Sequence, residues 1–175
     1  MTDRRDGLRR RYLSLGLGEL AAAVVFVAVA LVSVQPRLRG TEPWALWSAL
    51  LPLVVVLLQA GAYWLAARRW VERGRMPSAL ATTYRAFRLA NLGLLAAGGI
   101  GAVWWGSGRP GVVLLLTAVW LFGAVEYANY FVVRLAYPLR RWVAEVGRWR
   151  TPRLVLDLAA ARAPEVSVEV SRARH

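Results

Sequence analysis

The chain has 175 residues, of which 58% are hydrophobic, yet its formal net charge is +13 and all 23 basic residues are arginine. A soluble domain of that composition is hard to keep dispersed, so apolar and charged residues must be segregated along the chain. Cysteine is absent and the one histidine is the terminal His175, which excludes disulfides, thiol catalysis, thiolate metal sites, an intramembrane haem bundle and a histidine zinc site.

The segregation is visible: long runs almost free of charge alternate with short arginine-rich segments, the layout of a polytopic membrane protein. Arginine without lysine points to a high-GC bacterial source. These arginines flank apolar spans, and no basic module interleaved with aromatics is present. Anionic headgroups, not nucleic acid, are therefore the expected counter-charge.

The first span is predicted over residues 12–34, closed by Gln35-Pro36, and is long enough for a hydrocarbon core of roughly 30 Å. Its apolar stretch exceeds a signal-peptide core and lacks a small-residue cleavage site, so it is expected to be retained. Thr41-Glu42-Pro43 starts the second span, 44–67, in which Pro52 cannot donate to the Ser48 carbonyl and predicts a kink. That helix is expected to project through Arg68, Arg69 and Trp70 to Gly74.

Pro77-Ser78 begins the third helix, with its span at 88–105. Gly106-Ser107-Gly108-Arg109 forms a turn, and Pro110 opens a fourth helix spanning 111–137. Residues 1–137 thus read as an all-α, four-helix transmembrane bundle. In 138–175, Leu139, Trp142, Val146 and Trp149 recur at helical spacing among Arg140, Arg141, Arg148 and Arg150. This predicts an amphipathic surface helix for anionic lipid or a partner. Thr151-Pro152 caps a further short helix to about Ala161, followed by a mobile tail. No internal repeat supports an inverted-repeat transporter.

Arginines number five in the N-terminal tail, six in the middle hairpin and nine from Arg134 onward, against two and one in the other loops. The positive-inside rule then places both termini in the cytoplasm of a bacterial inner membrane. Trp44, Trp47, Trp104 and Trp105 suit an external aromatic belt. Rows of small residues, Ser14-Gly18-Ala22 and Gly93-Ala97-Gly101, are expected to pack helices closely inside the monomer.

Five strongly polar residues, Glu19, Gln59, Asn91, Glu126 and Asn129, fall in the cytoplasmic half of the spans, with Tyr130 beside Asn129. A charged, lipid-facing carboxylate there costs ~2.5 to 3.5 kcal/mol, so Glu19 and Glu126 are expected to turn inward and pair with Tyr, Asn, Gln or an interfacial Arg. On the fourth helix, Glu126, Asn129, Tyr130, Val133 and Tyr137 share one face at spacings of three and four. The set is either glue fixing helix register or a cytoplasm-facing ion, proton or headgroup site.

The stretch Glu126-Tyr127-Ala128-Asn129-Tyr130-Phe131, followed by Arg134-Leu135, is similar to a pattern in small bacterial four-span integral membrane proteins without an assigned activity. The resemblance covers the fourth helix and implies a membrane protein, with no site assignment. The sequence predicts a non-enzymatic accessory, structural, lipid-binding or partner-binding subunit without a cofactor, as a homodimer or within a larger complex. The alternative is a dimeric ion or proton channel or transporter using Glu19 and Glu126. A lipid-active enzyme ranks third, because Asp3, Asp6 and Asp157 all lie outside the spans.

Overall fold

A computed structural model describes residues 2–70, 75–132 and 151–161. All its regular structure is helical: α1 (Thr2–Val29), α2 (Glu42–Ala67), α3 (Ser78–Trp104), α4 (Pro110–Phe131) and a short α5 (Arg153–Ala160). Four stretches are long and apolar enough to cross a membrane, at Asp6–Arg37, Glu42–Ala67, Ser78–Trp104 and Pro110–Phe131. The α1–α2 and α3–α4 connections share one end of the bundle, here called the loop end. The other, with Arg68, Arg69, Arg85 and Arg88, is the arginine end.

The residues that start and stop these helices act as their chemistry requires. Pro43 and Pro110 sit in the first turns of α2 and α4, where no intrahelical N–H is needed. Gln35-Pro36 does not end the first span abruptly. The helix widens to a π-turn over Ala30–Val34 and tightens to a 3-10 turn over Gln35–Arg37. Pro36 lacks an N–H and its ring crowds the preceding turn, so the hydrogen-bond spacing shifts before the chain leaves. Gly40, at φ 54°, supplies the left-handed residue of the reversal into α2.

The expected projection of the second helix to Gly74 is corrected. α2 stops at Ala67, and tight turns follow from Arg69 N to the Ala66 carbonyl (2.9 Å) and from Trp70 N to the Ala67 carbonyl (3.3 Å). Trp70, in the turn beyond Ala67, is buried to 7% exposure. Pro52 interrupts the ladder without ending α2, which remains one helix.

α2 is the axis of the assembly and packs against α1, α3 and α4. Of its most apolar window, 56% is buried, against 17% to 22% for the other three. Between helices surrounded by lipid, close van der Waals contact replaces the hydrophobic drive, so positions without a Cβ decide where the backbones meet. Gly16 of α1 and Gly61 of α2 face each other: a Cβ on either would lie 3.1 Å from the carbonyl oxygen of the other. At the α2–α3 crossing, a Cβ on Gly98 would lie 2.5 Å from the Ser48 oxygen and 2.7 Å from Pro52 Cγ. The carbonyl that Pro52 leaves without its helical donor therefore sits against a bare glycine.

Both predicted small-residue rows need correction. A methyl group on Gly18 or Gly93 would find nothing within 4 Å, and of the Gly93-Ala97-Gly101 row only Gly101 packs, against Ser48. The working faces are Gly16 with Ala23 on α1, and Gly98 with Gly101 on α3. Regular four-residue spacing marks several stripes on an alanine- and glycine-rich helix, and only the partner's shape selects among them.

The buried side chains divide by level. Toward the loop end lies an aliphatic cluster including Ala45, Leu46, Ala49, Leu50, Leu53 and Leu116. Toward the arginine end the cluster is aromatic, with Tyr63, Trp70, Tyr84, Tyr127, Tyr130 and Phe131, and it receives Leu154 and Leu158 of α5. Large apolar residues such as Val24, Val32, Leu89, Ile100, Val103 and Leu114 point outward.

Candidate functional site

The predicted polar residues form two groups that α2 holds apart. In the first, the Tyr130 hydroxyl of α4 donates to Glu19 Oε1 of α1, while Trp64 Nε1 of α2 donates to the Tyr130 oxygen at 3.4 Å. Glu126 accepts from the Asn129 side chain, three residues on along α4. Tyr130 is buried, while Glu19, Glu126 and Asn129 are half-buried. Glu19 thus bonds across helices to a Tyr, whereas the Asn partner of Glu126 lies on its own helix, α4. Among the described residues, no arginine forms an ion pair with either carboxylate.

The second group joins α2 to α3. Gln59 and Asn91 bond through both amides, and the Tyr84 hydroxyl donates to the Gln59 carbonyl at 2.8 Å. Gln59 and Trp64 are five residues apart on α2, which turns their side chains by about 140° from each other. That rotation is why one amide meets α3 while the indole meets α4.

Two further polar clusters involve residues that the sequence pattern does not single out. Asp157 of α5 lies outside the spans, yet it is buried to 8% exposure at the arginine end. Its Oδ2 accepts from Tyr63 Oη at 2.9 Å and Trp70 Nε1 at 3.0 Å, and Arg153 Nε sits 3.1 Å from its Oδ1. The available signal was the spacing of Leu154, Asp157 and Leu158, which puts a carboxylate between two leucines on one helical face.

The other cluster closes the loop end. Arg109 grips Glu42 with two bonds, Nε to Oε1 at 2.8 Å and Nη2 to Oε2 at 2.6 Å, while Ser107 Oγ and the Arg39 N–H also donate to it. Thr41 Oγ1 adds a bond to the Trp105 carbonyl at 2.9 Å, so both loops are laced together. Glu42 is the only acid between Glu19 and Glu72, and Arg109 the only base between Arg88 and Arg134, but the linear pattern does not pair residues 67 positions apart.

Surface grooves of about 560 and 580 Å³ lie toward the loop end, between α3 and α4 and between α1 and α4. The first is lined by Gly99, Val103, Gly106, Thr117 and Trp120, and neither borders the carboxylates at the arginine end. Among the described residues, no cluster of three acidic or imidazole side chains is arranged to hold a metal. The predicted surface helix with Arg140, Arg141, Trp142, Arg148, Trp149 and Arg150 lies outside the described residues, as do Val133, Tyr137 and the chain beyond 161.

Fold and polar clusters together define an all-helical protein with four helices long and apolar enough to cross a membrane, held by interhelical polar pairs. No family model, curated protein or solved structure matches the chain.

Proposed function

We propose that the protein is a non-enzymatic accessory subunit of a bacterial inner membrane, with both termini cytoplasmic, that binds a partner protein at its arginine end. The observation that carries this reading is the aromatic cup formed by Tyr63, Trp70, Tyr84 and Phe131, which holds a separate two-turn segment, α5, by side-chain and backbone contacts. Gln59 with Asn91, and Glu19 with Tyr130, are bonded across helices, as register-fixing residues are. The arginines around the cup suit anionic headgroups beside it. Purification of the tagged protein in mild detergent tests the proposal: a stoichiometric partner, with anionic lipid, is expected. A bare monomer carrying neither overturns it.

Two half-buried carboxylates, Glu19 and Glu126, on helices long and apolar enough to cross a membrane favour a second reading, a dimeric ion or proton channel or transporter that uses both. Proteoliposome flux measured with Glu19→Gln and Glu126→Gln decides it. Flux that is absent, or unchanged in both variants, removes the carboxylate mechanism.

A further inference from the structure

An isolated helix of eight residues is not stable in water, so α5 owes its form to the surface that receives it. That surface recognises three things at once. Tyr63 Oη and Trp70 Nε1, both buried and both donors only in this arrangement, converge on one oxygen of Asp157. Arg85 Nη2 reaches the Leu158 carbonyl at 3.2 Å, capping the C-terminal end of the helix where carbonyls lack intrahelical partners. Leu154 and Leu158, 2% and 8% exposed, fill the apolar floor on either side of the carboxylate.

Tyr63, one of the two donors, is held by neighbours other than α5. The Tyr63 ring packs edge-on against Trp64 and Tyr84, at centroid distances of 5.1 and 5.8 Å, and Tyr84 is itself tied to the Gln59 carbonyl. A departure of α5 would leave a shaped pocket with two aimed donors facing an apolar floor. Water entering that pocket would accept from both donors but would leave the apolar floor uncovered. An acceptor group between aliphatic neighbours meets both needs at once, and a carboxylate accepts most strongly.

We infer that the cup is an acceptor site for acidic amphipathic helices, with α5 as its tethered occupant and a helix of a partner protein as the competing one. The pattern it selects is the one α5 displays: leucine-like residues at i and i+4, a carboxylate at i+3, and a base four residues before that carboxylate, the place Arg153 takes beside Asp157. Exchange, not permanent closure, is the expected behaviour, since α5 is two turns long and held by four anchors, two leucines, one carboxylate and one carbonyl. The inference rests on the partner-binding reading and names the chemistry of the partner.

The test uses the full chain in lipid nanodiscs, with Leu154→Ala and Leu158→Ala to loosen its own α5. The probe is a fluorescent peptide of residues 151–161, followed by anisotropy against empty nanodiscs. Saturable binding is expected, weaker in the chain with native leucines, where α5 competes. Asp157→Asn in the peptide should weaken binding about tenfold or more, and Tyr63→Phe in the protein similarly. Absence of saturable binding, or equal binding of the Asp157→Asn peptide, overturns the inference. The peptide substitution leaves the protein untouched, so misfolding of Tyr63→Phe cannot blur the outcome. Peptide binding without any co-purified partner counts against the accessory reading alone, whereas a captured partner with no peptide binding counts against this inference alone.

Discussion

Gln59 and Asn91 exchange hydrogen bonds in both directions across the α2–α3 interface, 3.3 Å from Gln59 Nε2 to Asn91 Oδ1 and 2.6 Å from Asn91 Nδ2 to Gln59 Oε1. Asn91 is 1% exposed, so the pair is closed to any other partner on that side. Loss of one amide strands the other, which costs about 1 to 3 kcal/mol, while apolar replacement of both leaves nothing unsatisfied. Asn91→Leu should therefore destabilise the fold more than Asn91→Leu combined with Gln59→Leu. Reversible unfolding in mixed micelles measures this, and strictly additive losses would contradict the pairing.

Gly98 and Gly93 lie on the same helix and should respond oppositely to a methyl group. Gly98→Ala drives a Cβ to 2.5 Å from the Ser48 oxygen, an overlap that must push α3 off α2 and should cost about 1 to 3 kcal/mol. Gly93→Ala meets no atom within 4 Å and should stabilise by about 0.5 to 1 kcal/mol through backbone entropy. Paired unfolding curves check both signs.

At the loop end, Arg109→Ala leaves the Glu42 carboxylate buried with only Ser107 and the Arg39 N–H donating to it. Its apparent unfolding temperature should fall clearly. Adding Glu42→Gln should recover part of the loss, because the neutral amide no longer needs the guanidinium. Thermal scans in detergent at fixed salt test the coupling, and a double variant no better than Arg109→Ala would refute it.

The proposed orientation gives a labelling pattern that the native sequence permits, since it contains no cysteine. Gly7 and Gly108 are exposed, and neither has neighbours that a Cβ would meet. In intact cells, an impermeant maleimide should modify Gly108→Cys at once and Gly7→Cys only after permeabilisation. The reverse order would invert the topology.

Helix number and the positions of the arginines flanking the spans were legible because both depend on local properties: the length of an apolar run, and where charge and proline interrupt it. Pro110 begins its helix where φ is fixed and no N–H is needed, and that chemical reason acts within a few residues. The candidate polar residues were legible as residues, since Glu19 and Glu126 stand out in any apolar span. Their grouping was not. Tyr130 and Glu19 are separated by 111 positions, Gln59 and Asn91 by 32, and nothing in a linear pattern states which helix turns toward which.

The sequence by itself determined that this chain must form apolar helices with a few polar residues set among them, because the free energy of burying backbone and charge is counted residue by residue. The tertiary structure alone decided that α2 is the axis, that Gly16 and Gly98 rather than Gly18 and Gly93 make the close contacts, and that Glu42 meets Arg109. It also decided that Asp157, far outside the spans, is held by Tyr63 and Trp70. Each of these is a matter of which surfaces fit, and fit exists only between helices.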